Sequence, residues 1–368
     1  MNINIQTNVS LAPLTTFKIG GLAKAFVEIK NMLQIEAAVN YATQNKLKIL
    51  VLGGGSNVLI SDLGFDGLII HLVNKGLEKI EEDESSVKLK IASGENWDRV
   101  VAFCVQNKWW GVENLSHIPG LSGSLAVQNV GAYGQEASQV IESVEAYDVQ
   151  KKRYTTLSNS ACGFSYRQSV FNSSQKGRYI ILNTIIKLSK KPSLNIAYAD
   201  VQKYFIDNSI HNPTIEQIRD SITSIRDRKY PYPTQAIGGN AGSFFKNYVI
   251  DETQYQTFHQ TIAKNFTTGK IERLEKYRAK VTDADKIKIP AAFLIEICEL
   301  KGAQVGGAKI NEPQPLVILN TGSATANDVM NLFKKVRQTV FAKTGVSLNS
   351  EPELIGFSDQ ELNNYFEM

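Results

Sequence analysis

The chain has 368 residues, of which 43% are hydrophobic and 21% charged, with a formal net charge of +4. That length exceeds what one core usually serves, so two or three domains are expected in an ordinary globular protein. The small, dispersed charge excludes a basic nucleic-acid surface, and three distant cysteines (Cys104, Cys162 and Cys298) without a C-x-x-C exclude a disulfide framework or zinc site.

The polar start MNINIQTNVS has no apolar signal-peptide core. No run of about eighteen apolar residues occurs, so no membrane span is expected. With cysteines suited to a reducing compartment, the expected location is cytoplasmic. Residues 25–29 read as a strand after the Gly20-Gly21 turn. Residues 32–46 carry Ile35, Ala38, Val39 and Ala42 at helical spacing. The strand KILVL (48–52), a glycine loop and a strand over 68–72 follow, which makes a small parallel β-α-β unit.

Val87, Leu89 and Ile91 alternate with Lys88 and Lys90, the pattern of a half-buried strand. Residues 96–107 predict a helix with Val100, Val101, Phe103, Cys104 and Val105 inward. Strands are expected over 143–148 and 179–187, and Lys190-Lys191-Pro192 breaks the pattern. Thr214 and Gln217 form a candidate capping box for a helix lined by Ile215, Ile218, Ile222 and Ile225, which Pro231 and Pro233 end. Residues 293–300 predict a buried helix ending at Gly302. The clearest amphipathic helix runs over 325–343, with Val329, Leu332, Phe333, Val336 and Val340 on one side, Asp328 near its start and Gly345 as its stop.

Two stretches stand out from these elements. Residues 114–134 read NLSHIPGLSGSLAVQNVGAYG, and residues 53–57 read GGGSN directly after a strand. So many small residues bring bare backbone close to something, and backbone N–H groups so presented suit phosphates. A glycine-rich crossover packed on a sheet is the plainer alternative. Two such loops favour a large phosphorylated cofactor. Neither is a dinucleotide fingerprint, because Val58 stands where a third glycine belongs, and no P-loop occurs.

Two further motifs follow in order, FSYRQSVF (164–171) and GNAGSFFKN (239–247). The set resembles the UDP-N-acetylenolpyruvoylglucosamine reductase family, in its longer subtype, from LTTFKIGG (14–21) to EPELIGF (351–357). The resemblance implies an α+β fold: a two-part FAD-binding domain of PCMH type and a C-terminal α+β substrate-binding domain. The expected parts are 1–72, 73–212 and 213–368, with the last residues either in the third part or returned to the first.

It also implies reduction of UDP-N-acetylglucosamine enolpyruvate to UDP-N-acetylmuramate for peptidoglycan. Hydride passes from NADPH to FAD, then from flavin N5 to the enolpyruvyl methylene carbon, with a proton from Ser243. The implied cofactor contacts are Gly53, Gly54, Gly55, Ser56 and Asn57 in the first loop, with Pro119, Gly120, Gly123, Ser124, Gln128, Asn129, Gly131, Ala132 and Tyr133 in the second. No histidine lies in the first loop, so the FAD is expected to be non-covalent. Arg167 can grip the substrate carboxylate with its planar fork, and Tyr166 beside it is a site wall or a packing residue.

Glu353 is the implied acid that assists the proton, with Glu351 its rival; Leu354-Ile355 depart from the family's usual residues there. Lys229 and Asn247 match positions at the nucleotide diphosphate, and Tyr198 resembles the tyrosine that closes over substrate. Each has an ordinary alternative as a surface or packing residue. His71, His117, His211 and His259 show no metal-ligand spacing, and His117 reads best as a hydrogen-bonded loop residue. No metal, nucleic-acid or membrane partner is expected, and a monomer is. The competing readings are a related flavin oxidoreductase acting on a small alcohol and a non-catalytic nucleotide-sugar-binding protein.

Overall fold

The computed structural model describes residues 3–232, 238–278 and 286–367. Pro233 and the loop after it to residue 237 lie outside the described residues. Contacts group the chain into two units. The first comprises Met1–Val9, Ala23–Gly55 and Phe65–Arg228; the second comprises Ser10–Leu22, Ser56–Gly64 and Lys229–Met368.

Among the described residues the first unit holds two larger sheets and a two-stranded hairpin. One has the strand order Gln6–Ser10, Leu22–Ile29, Phe65–Leu72, Lys48–Leu52. Its last three strands are parallel, with Glu28 and Leu52 both abreast of His71. Parallel neighbours need a crossover, and the helix Leu33–Gln44 supplies it. Its Ile35, Ala38, Val39 and Ala42 are buried against Ala25, Val27, Ile29, Leu68, Ile70 and Leu72, the face that helical spacing selects.

The second sheet is antiparallel, in the order Arg153–Ser158, Ile141–Asp148, Tyr179–Ser189, Ser86–Ala92, Leu77–Glu82. Val87, Leu89 and Ile91 are fully buried. On the opposite face Lys88 pairs with Glu81 and Glu142 at 2.9 and 3.0 Å, and Lys90 with Glu145 at 2.7 Å. The outermost strand Leu77–Glu82 has no sequence signal, because an edge strand exposed on both faces carries no apolar alternation, and in Arg153–Ser158 only Leu157 is buried.

The helix Trp97–Gln106 is capped by Asn96, whose Oδ1 accepts the Arg99 amide at 3.0 Å. Phe103 corrects the expected core. It is 39% exposed and lies edge-on to Trp109 at 5.6 Å. At about 3.6 residues per turn it falls outside the arc set by Trp97, Val100, Val101, Cys104 and Val105.

The capping box of the helix Ile215–Lys229 closes in both directions. The Thr214 amide donates to Gln217 Oε1 at 2.9 Å, and the Gln217 amide to Thr214 Oγ1 at 3.3 Å. Its four isoleucines enter the same core as Val101, Leu115 and Val201. The contact boundary at Arg228 therefore follows this helix, whereas the sequence placed a boundary before it, at 212/213.

The second unit is built on the helix Ala326–Thr344, with its Thr325–Asp328 capping box and Gly345 left-handed at φ +74. Val329, Leu332, Phe333, Val336 and Val340 are all fully buried. The helices Glu252–Asn265, Thr268–Arg278, Ala291–Ile297 and Asp359–Phe366 belong to the same unit. A three-stranded antiparallel sheet, Gln304–Val305, Ala308–Ile310 and Ile318–Asn320, adds to it. The early strand Val58–Ile60 pairs in parallel with the late strand Glu353–Ile355. Asp62 then accepts the Ala326 and Asn327 amides at 2.9 and 3.1 Å, an anion on a helix N-terminus. Among the described residues no helix is long and apolar enough to cross a membrane.

Ile222→Ala removes a fully buried side chain from the first unit. It is expected to destabilise the protein by about 2–5 kcal/mol, seen as a lower urea midpoint. An unchanged midpoint would mean that the helix is not packed as described.

Candidate functional site

The two glycine loops meet in the first unit. A Cβ built on Gly54 would lie 2.6 Å from Gly120 Cα, so the loops touch backbone to backbone. Gly55 and Gly120 hold φ +58 and +128, conformations that favour glycine. A Cβ on Gly123 would lie 2.6 Å from Ser93 Cβ, and the Gly123 amide donates to Ser93 O at 3.0 Å. Ser122 is buried and donates to Ala92 O at 2.5 Å, while Trp97 donates its amide to Gly120 O at 3.1 Å. The second loop is thereby tied to the end of the strand Ser86–Ala92 and the start of the helix Trp97–Gln106.

Among the described residues, the backbone amides of Gly53, Gly54 and Gly120 have no hydrogen-bond acceptor. Three such donors on two touching loops form a cradle for phosphate oxygens. Ser124 faces Gly53, with its Cβ 4.0 Å from where a Gly53 Cβ would stand. Ser56 and Asn57 continue the loop into the second unit, where Asn57 O accepts the Glu353 amide at 3.0 Å. Pro119, Gln128 and Ala132 are half-buried in the first unit.

Asn129, Gly131 and Tyr133 have structural tasks. The side chain of Asn129 bonds to Glu136, Ser165 and Ser138. Gly131–Ala132 pairs with Gln135–Glu136 around a turn in which Tyr133 and Gly134 hold φ +49 and +84. Arg167 sits at φ +57, and its Nη2 donates to Gly131 O at 2.8 Å. Its guanidinium carbon lies 5.3 Å from the Tyr166 ring centre. A Cβ on Gly131 would come within 3.0 Å of Arg167 Nη1, so that glycine makes room for the arginine.

Tyr198 stands edge-on to Tyr133 at 5.2 Å and is 45% exposed. Its segment is held on the hairpin by two asparagines that the sequence reading missed. Asn114 Nδ2 donates to Tyr133 O and Asn195 O at 2.8 and 2.7 Å, and Asn195 Nδ2 to Gly134 O at 2.9 Å. A single asparagine in a loop carries no pattern, so no signal marked them.

In the second unit, Phe245 and Ser350 form an antiparallel bridge. The Glu351 amide donates to Phe244 O at 2.8 Å, and the Lys246 amide to Asn349 O at 2.9 Å. Ser243 precedes and Glu353 follows this paired stretch on the two segments. Ser243, Glu351 and Glu353 are all half-buried. Gly239 is required for a different contact, since its Cβ would lie 2.6 Å from Phe17 O. The motif's first glycine therefore serves the approach of the segment containing TTFKIGG.

Asn247 Oδ1 accepts the Ala291 amide at 3.1 Å and so caps the helix Ala291–Ile297. Lys229 ends its helix, and its carbonyl accepts Asn311 Nδ2 at 2.7 Å. Of the residues expected at the site, Tyr166, Arg167 and Tyr198 thus belong to the first unit, and Lys229, Ser243, Asn247 and Glu353 to the second.

His117 is hydrogen-bonded in its loop, with Nε2 at 2.8 Å from Asp227 Oδ1 and its carbonyl accepting Arg226 Nε at 2.8 Å. Burial lowers the His71 pKa against the opposing pull of Glu28. Burial pushes the Cys104 thiol up to about 12 and those of Cys162 and Cys298 to about 11, so all three are inert near neutrality. Among the described residues no group of three His, Cys, Asp or Glu could hold a metal ion.

The family model described as the FAD binding domain matches residues 23–154. That span contains both glycine loops, and the cradle's donors fit the FAD diphosphate, so FAD is the cofactor. The family model described as the UDP-N-acetylenolpyruvoylglucosamine reductase C-terminal domain matches residues 232–355. The UDP-N-acetylenolpyruvoylglucosamine reductase of Amoebophilus asiaticus is 36% identical over 354 residues, which is 96% of this chain and 100% of that relative. That of Neisseria gonorrhoeae is 36% identical, covering 95% of this chain and 96% of the relative. The crystal structure of UDP-N-acetylenolpyruvylglucosamine reductase from Thermus caldophilus shares the fold, with a TM-score of 0.65, 20% identity and 96% of this chain and 99% of that chain covered. An FAD-binding domain of PCMH type with a C-terminal α+β domain thus accounts for the chain, which belongs to the UDP-N-acetylenolpyruvoylglucosamine reductase family.

Proposed function

We propose that the protein reduces UDP-N-acetylglucosamine enolpyruvate to UDP-N-acetylmuramate, with NADPH as electron donor, for peptidoglycan precursor synthesis. The observation that carries this reading is the likeness, over 96% of the chain, to a reductase of that name. The same reading makes it a cytoplasmic enzyme that works as a monomer. FAD, when bound, supplies the two-electron carrier between NADPH and the enolpyruvyl methylene carbon.

The chain's own residues hold and protonate. The amides of Gly53, Gly54 and Gly120 hold the diphosphate, and Gly55, Ser56, Asn57, Pro119, Gly123, Ser124 and Gln128 complete the pocket wall. A guanidinium carries five N–H donors, and the Gly131 bond orients that of Arg167. Its planar fork binds the substrate carboxylate and stabilises the enolate that hydride addition creates. The Ser243 hydroxyl gives its proton to the carbon beside the reduced methylene. Glu353, on the segment paired with that of Ser243, returns a proton to the serine or polarises the enol. Lys229 places a positive charge near the nucleotide diphosphate, and Asn247 orders the adjoining backbone through its cap on Ala291. Tyr166 walls the carboxylate side, and Tyr198 meets the substrate from its seat on Tyr133.

The overall test is spectroscopic. Purified protein should show a flavin absorption band, bleach with NADPH, and recover colour on addition of the enolpyruvyl nucleotide sugar. Bleaching by a small alcohol, with recovery by oxygen alone and none by the nucleotide sugar, would sink the reading.

Gly54→Ala tests the cradle. Its new Cβ meets Gly120 backbone at 2.6 Å, where no flexible side chain can yield. FAD affinity should fall by about tenfold or more, a loss of about 1.4 kcal/mol, in a fluorescence titration of the apoprotein. Parent affinity would show that the loops do not form the cradle. Ser243→Ala should leave flavin reduction by NADPH intact and slow reoxidation by substrate about 10²–10⁴-fold. A parent reoxidation rate in stopped flow removes the proton-donor role. Arg167→Lys keeps the charge and loses the fork, so the same half-reaction should slow about 10²-fold; unchanged turnover takes Arg167 out of the site.

A further inference from the structure

Asn129 stands in the second glycine stretch among residues expected to touch the cofactor, yet it is 1% exposed. Its amide has two donor hydrogens and an acceptor oxygen. Nδ2 donates to Glu136 Oε2 at 2.9 Å and to Ser165 O at 3.1 Å, and Oδ1 accepts the Ser138 amide at 2.9 Å. Both donors are used inside the protein. The backbone sits at φ +44, which asparagine tolerates better than most residues.

The partners form a closed circuit. Ser165 and Gln168 exchange two backbone bonds, of 3.0 and 3.1 Å, which close a tight loop with Tyr166 and Arg167 at its tip. Arg167 is held in the left-handed region and donates to Gly131 O at 2.8 Å. Gly131 is the hairpin partner of Glu136, and Glu136 returns to Asn129. One buried amide therefore joins the loop that carries the arginine to the hairpin that orients its guanidinium.

We propose that Asn129 is a positioning residue that acts through Arg167, not a ligand of the flavin. The inference rests on the reading in which Arg167 binds the substrate carboxylate. Without the Asn129 amide the loop at Ser165 loses its tie, and the guanidinium loses its fixed aim while the glycine cradle at Gly53, Gly54 and Gly120 stays intact. A small displacement of a charge-binding group is enough to slow the step that uses it.

The test is a double-mutant cycle on holoenzyme. Asn129→Ala, Arg167→Ala and the pair are compared by flavin content and by the rate at which UDP-N-acetylglucosamine enolpyruvate reoxidises the NADPH-reduced protein. Glu136→Ala removes one of the two acceptors and runs through the same cycle, so that a poorly folding Asn129→Ala leaves the test in place. Asn129→Ala should retain parent flavin content and slow reoxidation about 10–100-fold. In the Arg167→Ala background neither Asn129→Ala nor Glu136→Ala should add a further loss, because residues acting as one unit are non-additive. Loss of flavin with a parent reoxidation rate after resaturation would make Asn129 a cofactor ligand and overturn the proposal, as would losses that multiply in the double variants. Parent reoxidation in Arg167→Ala alone refutes the substrate role of Arg167 first, and this inference with it.

Discussion

The approach of Gly54 to Gly120 is the constraint on which the cofactor site depends. Two loops about 65 residues apart in sequence share a surface where Gly54 has no room for a Cβ. Backbone that close presents its N–H groups together, and a diphosphate needs several such donors at once. The strand Lys48–Leu52 delivers one loop, and the ties of Gly120, Ser122 and Gly123 to Trp97, Ala92 and Ser93 deliver the other. Each tie uses backbone or a short hydroxyl, so the loops are held rigidly and at small side-chain entropy cost.

The same economy governs the polar residues around the site. Asn129 and Asn247 stand in the sequence where ligand contacts are expected. In the fold Asn129 and Asn247, and Asn114 through its Nδ2, bond to backbone or a neighbouring carboxylate. A buried polar group left unpaired costs more than a pair gains, so these amides bind the loops that carry Arg167, Tyr198 and the segment after Ser243. Gly131 and Gly239 follow the same rule, being bare to admit Arg167 and the Phe17 carbonyl. Small residues thus mark close approach of something, and whether that is a ligand or another chain segment depends on the partner.

The second unit is assembled from distant parts of the chain. Val58–Ile60 beside Glu353–Ile355, and Asp62 on the N-terminus of the helix Ala326–Thr344, stitch an early excursion to the last hundred residues. The bridge between Phe245 and Ser350 pairs the segment that follows Ser243 with the one that leads to Glu353. These are long-range backbone pairings, which no local pattern announces. They also give the C-terminal carboxylate a reason to be where it is: the ladder with Val58–Ile60 fixes the start of its strand.

The sequence by itself determined the elements whose signal is local. The isoleucine face and capping box at Thr214, the Thr325–Asp328 start and Gly345 stop, and the alternation of Val87, Leu89 and Ile91 all appear as read, because periodicity and caps act within a few residues. The two glycine stretches were legible as places of close backbone approach, and the four ordered motifs as a family. Edge strands such as Leu77–Glu82 were not legible, since solvent on both faces erases alternation, and Phe103 misled because its apolar character was weighed above its helical spacing, which sets it outside the buried arc. Only the tertiary structure decided that the glycine loops touch, that Asn129 faces inward, and that the segments carrying Ser243 and Glu353 pair. Those facts depend on which distant backbones pair, and a chain's local preferences are silent about pairing across hundreds of residues.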